Sequence, residues 1–152
     1  LHDALPISQC SGILAGCTEA QEKGLQDYGR YLGTAFQLID DLLDYSADGE
    51  TLGKNVGDDL NEGKPTLPLL HAMLNGTADQ AKMIREAIEQ GNGRHLLEPV
   101  LETMAICGSL EWTRQRAEEE ADKAIEALQV IPDSPWREAL IGLAHIAVQR
   151  DR

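Results

Sequence analysis

Apolar residues return at three- and four-residue spacing through most of the chain, and no stretch alternates apolar and polar residues over strand length. The pattern predicts an all-α fold. Thr18-Glu19-Ala20-Gln21 has the form of a capping box and opens a long helix predicted to reach Tyr45. Leu25, Tyr28, Leu32, Ala35, Phe36 and Ile39 recur along one face of it. Gly24, Gly29 and Gly33 would each weaken an isolated helix by up to about 1 kcal/mol relative to alanine. Small residues there point to close helix packing or close approach of a ligand.

Residues 46–64 break the period. Asp48-Gly49, Gly53-Lys54, Gly57-Asp58 and Glu62-Gly63 are turn signals, and so long a loop between helices points to function. A short helix is predicted near Leu67 to Leu74. Thr77-Ala78-Asp79-Gln80 caps another that ends at Gly91-Asn92-Gly93. A further helix is expected from about Arg94 to Ala105, kinked or broken at Pro99. Ser109 opens one to about Leu128, with Ala117, Ala121, Ala124, Ile125 and Leu128 on one face and a solvated charge run opposite. Ser134-Pro135 starts the last helix, with Trp136, Leu140, Leu143, Ala144 and Val148 expected inward.

Composition narrows the function. The 152 residues suit one domain or part of a larger one, and 42% hydrophobic content is enough for a core. Aromatics make up 4%, so aliphatic side chains must do most of the packing. A net charge of −13 argues against nucleic acid as a partner, because phosphate contacts need clustered Lys and Arg. An anionic substrate would need a bridging metal or a local basic pocket. Cys10, Cys17 and Cys107 lack zinc-like spacing and read as reduced thiols of a cytoplasmic protein. His2, His71, His95 and His145 are too scattered for a cluster. No apolar run approaches the roughly 20 residues of a transmembrane segment.

The chemistry concentrates in Phe36-Gln37-Leu38-Ile39-Asp40-Asp41-Leu42-Leu43-Asp44-Tyr45. Leu38, Ile39, Leu42 and Leu43 would bury well, yet three carboxylates stand among them. Asp40 and Asp44 lie one turn apart on one helical face, and Asp41 is within i+3 of Asp44. Like charges so close repel by a few tenths of a kcal/mol per pair. A helix that accepts this cost either leaves the face to solvent or offers oxygen ligands to a hard divalent cation. The loop beyond brings Lys54 and Lys64, both next to glycine, and a second acidic pair, Asp58 and Asp59. Lysine on a glycine-rich loop suits a diphosphate as a mobile point charge.

The stretch from Phe36-Gln37 to Lys64-Pro65-Thr66-Leu67-Pro68 resembles the second aspartate-rich motif of the trans-polyprenyl diphosphate synthases and the loop that follows it. The likeness runs from about Gln9 to the C-terminus and includes Gln90-Gly91-Asn92-Gly93 and Gly142-Leu143-Ala144-His145. It implies a helical bundle of the isoprenoid synthase type around a central cavity. Residues 1–152 would be the C-terminal part of one such domain, a homodimer when full length. The implied reaction is Mg2+-dependent head-to-tail condensation of isopentenyl diphosphate onto an allylic diphosphate, for the ubiquinone side chain. The allylic diphosphate ionises, the isopentenyl double bond attacks the carbocation, and a proton is lost.

By the same resemblance Asp40 and Asp44 ligate Mg2+ bridging to the allylic diphosphate. Asp41 acts through a metal-bound water or orients a ligand. Gln37 faces the same cavity, Lys54 contacts the diphosphate, and Phe36 lines the pocket near the prenyl chain. Lys64 is a further substrate contact; for it, as for Asp58 and Asp59, loop ordering and helix capping stay open as the alternative.

The family needs two aspartate-rich motifs on facing helices, and no Asp-Asp-x-x-Asp precedes residue 40. The chain therefore reads as a C-terminal half, expected to be inactive alone. A noncatalytic helical partner of a full-length synthase, and an acidic helical protein without a site, remain as competing readings. Before Gln9 the family usually has a Lys-Thr pair and an Ala-rich helix. Leu1-His2-Asp3-Ala4-Leu5-Pro6-Ile7-Ser8 departs from this and is expected to be foreign, with Pro6 interrupting a continuing helix.

Overall fold

The computed structural model describes residues 3–46 and 56–150, which form α-helices with no strand among them. In chain order the helices are α1 (Ala4–Leu14), α2 (Glu19–Leu43), α3 (Asp58–Asn61), α4 (Leu67–Asn75), α5 (Ala78–Gln90), α6 (Leu97–Cys107), α7 (Ser109–Ala127) and α8 (Pro135–Val148). Short 3-10 turns at Gly93–Leu96 and Leu128–Val130 precede α6 and follow α7. No helix among the described residues is long and apolar enough to cross a membrane. The chain divides into two compact units, one of Leu1–Ile39 with Gln115–Arg152, the other of Asp40–Arg114.

In the first unit the capping box at the start of α2 forms as predicted. The Thr18 N–H donates to Gln21 Oε1 at 2.9 Å, and the Gln21 N–H donates to Thr18 Oγ1 at 3.3 Å. Tyr28 and Leu32 of α2 pack with Ala124, Leu128, Ala144 and Ala147, and all six are buried. On α7 the predicted stripe is inward, since Ala117, Ala121 and Ala124 are buried as well. Alanines let the helices approach closely. A Cβ on Gly24 would lie 2.7 Å from the Ala127 carbonyl oxygen, so the close-packing explanation of that glycine holds.

Two expectations for α1 and α8 are corrected. Pro6 sits in the first turn of α1, where its missing N–H removes no helical hydrogen bond, so the helix runs through it. Ser134 caps α8, accepting from the Arg137 N–H at 3.1 Å as expected. Its Trp136, however, is 82% exposed and Leu143 48% exposed. The inward stripe is Ala144 and Ala147 with the partly buried Leu140 and Ile141. Leu143 lies about 100° round the helix from Ala144 and falls off that stripe.

The Tyr28 hydroxyl donates to the Leu140 carbonyl at 2.8 Å. Burial pushes its phenol from 10.0 up to about 12. An unfolded chain ionises this group near pH 10.0 and the folded one near pH 12, so its contribution is intact below pH 10 and is lost as pH climbs through 12. Urea unfolding between pH 9 and 12 should show this decline, and Tyr28→Phe should make it shallower. An unchanged slope in the variant refutes the assignment.

The second unit packs Tyr45, Leu60, Leu69, Ala72, Ile84, Ala87, Val100 and Met104 into one buried cluster. The capping box at Thr77 and Gln80 forms with both of its hydrogen bonds. The helix expected from Arg94 to Ala105 is split into the 3-10 turn Gly93–Leu96 and α6, and Pro99, in the first turn of α6, marks that break. Within the predicted loop the structure adds α3, a four-residue helix that a period of 3.6 cannot announce. Gly57 precedes it with φ 81° and ψ 22°, a left-handed conformation that reverses the chain. A Cβ there would also lie 2.5 Å from Leu97 Cδ1.

Candidate metal and diphosphate site

Asp40 and Asp41 lie in the last turn of α2 and are half-buried, whereas Asp44 is 5% exposed. Helix geometry sets the first two. The Asp44 N–H still donates to the Asp40 carbonyl, at 3.2 Å, so the turn carrying all three carboxylates keeps α-helical hydrogen bonding. Past Asp44 the chain leaves the helix and returns to it. The Gly57 N–H donates to the Asp44 carbonyl at 2.8 Å, and the Asp59 N–H donates to Asp44 Oδ2 at 3.0 Å. The first acidic group and the second acidic pair are therefore brought together.

The rest of the returning segment is held by charge and burial. Lys64 is exposed, and its Nζ pairs with Asp59 at 2.9 Å and Glu62 at 2.7 Å. Hydrogen bonds to Glu62 and Asp59 hold the Lys64 ammonium above its ordinary range. As a diphosphate contact it would have to exchange one of these carboxylates for a phosphate. Arg94 donates to Asp58 Oδ1 at 2.8 Å. The Thr66 hydroxyl donates to the Tyr45 hydroxyl at 3.5 Å, inside the core. Burial pushes the Tyr45 phenol well above its ordinary range; the Thr66 hydrogen bond opposes this, and the charges of Asp44, Asp59 and Asp41 add to it.

Two other expected site residues belong to the first unit. Gln37 is exposed and lines an open cavity of about 360 Å³ with Leu5, Gly29, Gly33 and Thr34. Phe36 is half-buried against the Tyr28–Ala147 cluster, and the Arg150 guanidinium stands 3.9 Å from its ring centre. Lys54 lies outside the described residues. Sequence reasoning missed the Asp44–Asp59, Asp58–Arg94 and Tyr45–Thr66 contacts. They join positions 15 to 36 residues apart, which no helical period relates. His71 stacks on Trp112 with ring centres 4.4 Å apart and bonds Ser109 at 3.0 Å, a packing role as expected.

Among the described residues, no three carboxylate, imidazole or thiol groups form a ready-made metal cage. Mg2+ does not require one. It keeps several waters and takes one or two protein carboxylates together with substrate phosphates. Adjacent half-buried aspartates at a helix end are a donor set of that kind.

Known proteins resemble the chain over nearly its whole length. The chain is 88% identical over 145 residues to octaprenyl diphosphate synthase of Escherichia coli (strain K12), an alignment covering 95% of this chain and 45% of that enzyme. It superposes on decaprenyl diphosphate synthase of Rhodobacter capsulatus with a TM-score of 0.85 and 39% identity, covering 95% of this chain and 45% of that one. It matches polyprenyl synthase of Caulobacter crescentus CB15, crystallised with calcium and isoprenyl diphosphate, with a TM-score of 0.84 and 42% identity, covering 95% and 44%. The chain thus spans under half the length of these relatives. Residues 4–104 match the polyprenyl synthetase family model, and the chain belongs to the polyprenyl synthetase family.

Proposed function

We propose that this chain supplies one metal-and-diphosphate half of a prenyltransferase that condenses isopentenyl diphosphate onto an allylic diphosphate. The observation that carries this is the pair Asp40 and Asp41 ending α2 beside a returning acidic and basic segment, in a chain 88% identical to an octaprenyl diphosphate synthase. The Caulobacter relative, captured with a divalent cation and an isoprenyl diphosphate together, supports the ligand class. Asp40 and Asp44 would hold Mg2+, and Asp41 would act through a metal-bound water or orient a ligand. When bound, the metal neutralises diphosphate oxygens and stabilises the charge of the departing group. Asp58, Asp59 and Glu62 keep Arg94 and Lys64 in place near the site's rim. The likeness to an octaprenyl synthase makes an eight-unit chain for the ubiquinone side chain the preferred product of the full-length homodimer.

The chain alone forms no product, because the family's first aspartate-rich motif is not among its residues. Calorimetry with the chain and inorganic pyrophosphate should show binding that requires Mg2+. Labelled isopentenyl diphosphate with an allylic primer should give no elongated product. Pyrophosphate binding indifferent to Mg2+, or none at all, overturns the metal assignment, and turnover overturns the half-site assignment.

A further inference from the structure

We infer that the outward faces of α1 and α8 form a docking seam for the complementary part of a polyprenyl synthase fold, and that the chain assembles with that part when it is supplied as a separate polypeptide. The partner's identity rests on the proposed function; the surface itself rests on burial in the first unit. Among the described residues, nine large hydrophobic side chains are exposed, and seven of them belong to this unit. Scattered exposed apolar residues are ordinary, whereas contiguous ones mark an interface. Six of the seven lie on two helices.

On α8, Trp136, Leu143 and Ile146 are exposed, with Ala139 exposed between them. At about 100° per residue these four fall within about 80° of one another, a stripe about 15 Å long. The buried stripe of Ala144 and Ala147 lies beside it, and Glu138 and His145 make a third, polar face. A helix that packs on one side and meets water on the other needs a single apolar stripe. Helix α8 carries two. Helix α1 has no charged side chain from Ala4 to Leu14, yet Ile7 and Ile13 are exposed and Leu14 is 89% exposed. A helix without a charged face is the kind found inside a larger structure.

Length and charge decide what covers these faces. The octaprenyl diphosphate synthase of Escherichia coli aligns with 95% of this chain through 45% of its own length, so more than half of that enzyme has no counterpart here. A second copy of the chain, or an anionic lipid surface, would bring like charge against a net charge of −13. The uncovered part of the relatives' fold is the occupant that remains, and its absence is what leaves two helices short of neighbours.

Co-expression of the whole chain with the part of the Escherichia coli enzyme outside the alignment tests this. Co-purification, hydroxyl-radical footprinting and elongation of an allylic primer with labelled isopentenyl diphosphate are the three readouts. A complex should form and elongate the primer, and Trp136, Leu143 and Ile146 should be oxidised at least about fivefold more slowly in it than in the chain alone, because interface cores are dry. A chain carrying Leu143→Glu and Ile146→Glu should assemble at least about tenfold more weakly, since it would bury unpaired charge. Mg2+-dependent pyrophosphate binding by that chain, and assembly of a His145→Ala chain, should stay within about twofold of the parent. If circular dichroism shows the double variant unfolded, footprinting of the parent complex decides.

No complex on co-expression, a complex that leaves the stripe as reactive as before, or one that the folded double variant forms equally well overturns the inference. So does a chain that sediments as a dimer through the same stripe. A complex with a protected stripe and no elongated product upholds the seam and sinks the prenyltransferase reading. Pyrophosphate binding that requires Mg2+, with no complex, sinks the seam and leaves that reading standing.

Discussion

Leu60→Ala is expected to destabilise the Asp40–Arg114 unit by about 3–5 kcal/mol, the cost of emptying a buried leucine site that cannot collapse. Leu60 has no exposed surface and packs with Tyr45, Leu69, Ile84, Ala87, Val100 and Met104. A whole domain is stable by only about 5–15 kcal/mol, so the loss is a large fraction of what is available. The effect reaches the candidate site, because Leu60 is the apolar residue that seats a four-residue helix otherwise held by hydrogen bonds and ion pairs. Trp112 belongs to this unit and stacks on His71, whereas Trp136 of the other unit is 82% exposed. Tryptophan fluorescence during urea unfolding therefore reports mainly on Trp112. A loss under about 1 kcal/mol would mean that α3 is not anchored through Leu60.

Asp40→Asn is expected to weaken Mg2+-dependent pyrophosphate binding by about 10- to 100-fold, or about 1.4–2.7 kcal/mol. Asparagine keeps the size and one carbonyl oxygen but removes the charge that holds a hard cation. Asp41→Asn should act in the same direction. A pair of surface carboxylates with no ligand would leave binding within twofold in either variant. Titration of Mg2+ at fixed pyrophosphate, with circular dichroism to verify the fold, separates a lost ligand from a lost structure.

Helix positions were legible in the sequence because their signals are local. The capping boxes at Thr18 and Thr77 and the Ser134-Pro135 start name their own helix, and each appears where it was expected. The alanine stripe of α7 was legible for the same reason, as an unbroken period over several turns. Misreadings came where local signals were ambiguous. Pro6 looks like a break, yet in a first turn proline costs no hydrogen bond. Trp136 and Leu143 look like core by size, but the packing surface selects Ala144 and Ala147.

By itself, the sequence determined an all-α chain, its family, and a turn of helix carrying three carboxylates at a spacing that suits hard cations. Tertiary structure alone decided that those carboxylates have unequal surroundings. Asp44 meets the Asp59 amide and is buried, while Asp40 and Asp41 keep partial exposure. The reason is that helical periodicity relates residues within a few turns, whereas the return of the chain at Gly57 depends on a left-handed glycine and a buried leucine acting together. Neither leaves a periodic trace in the residues between.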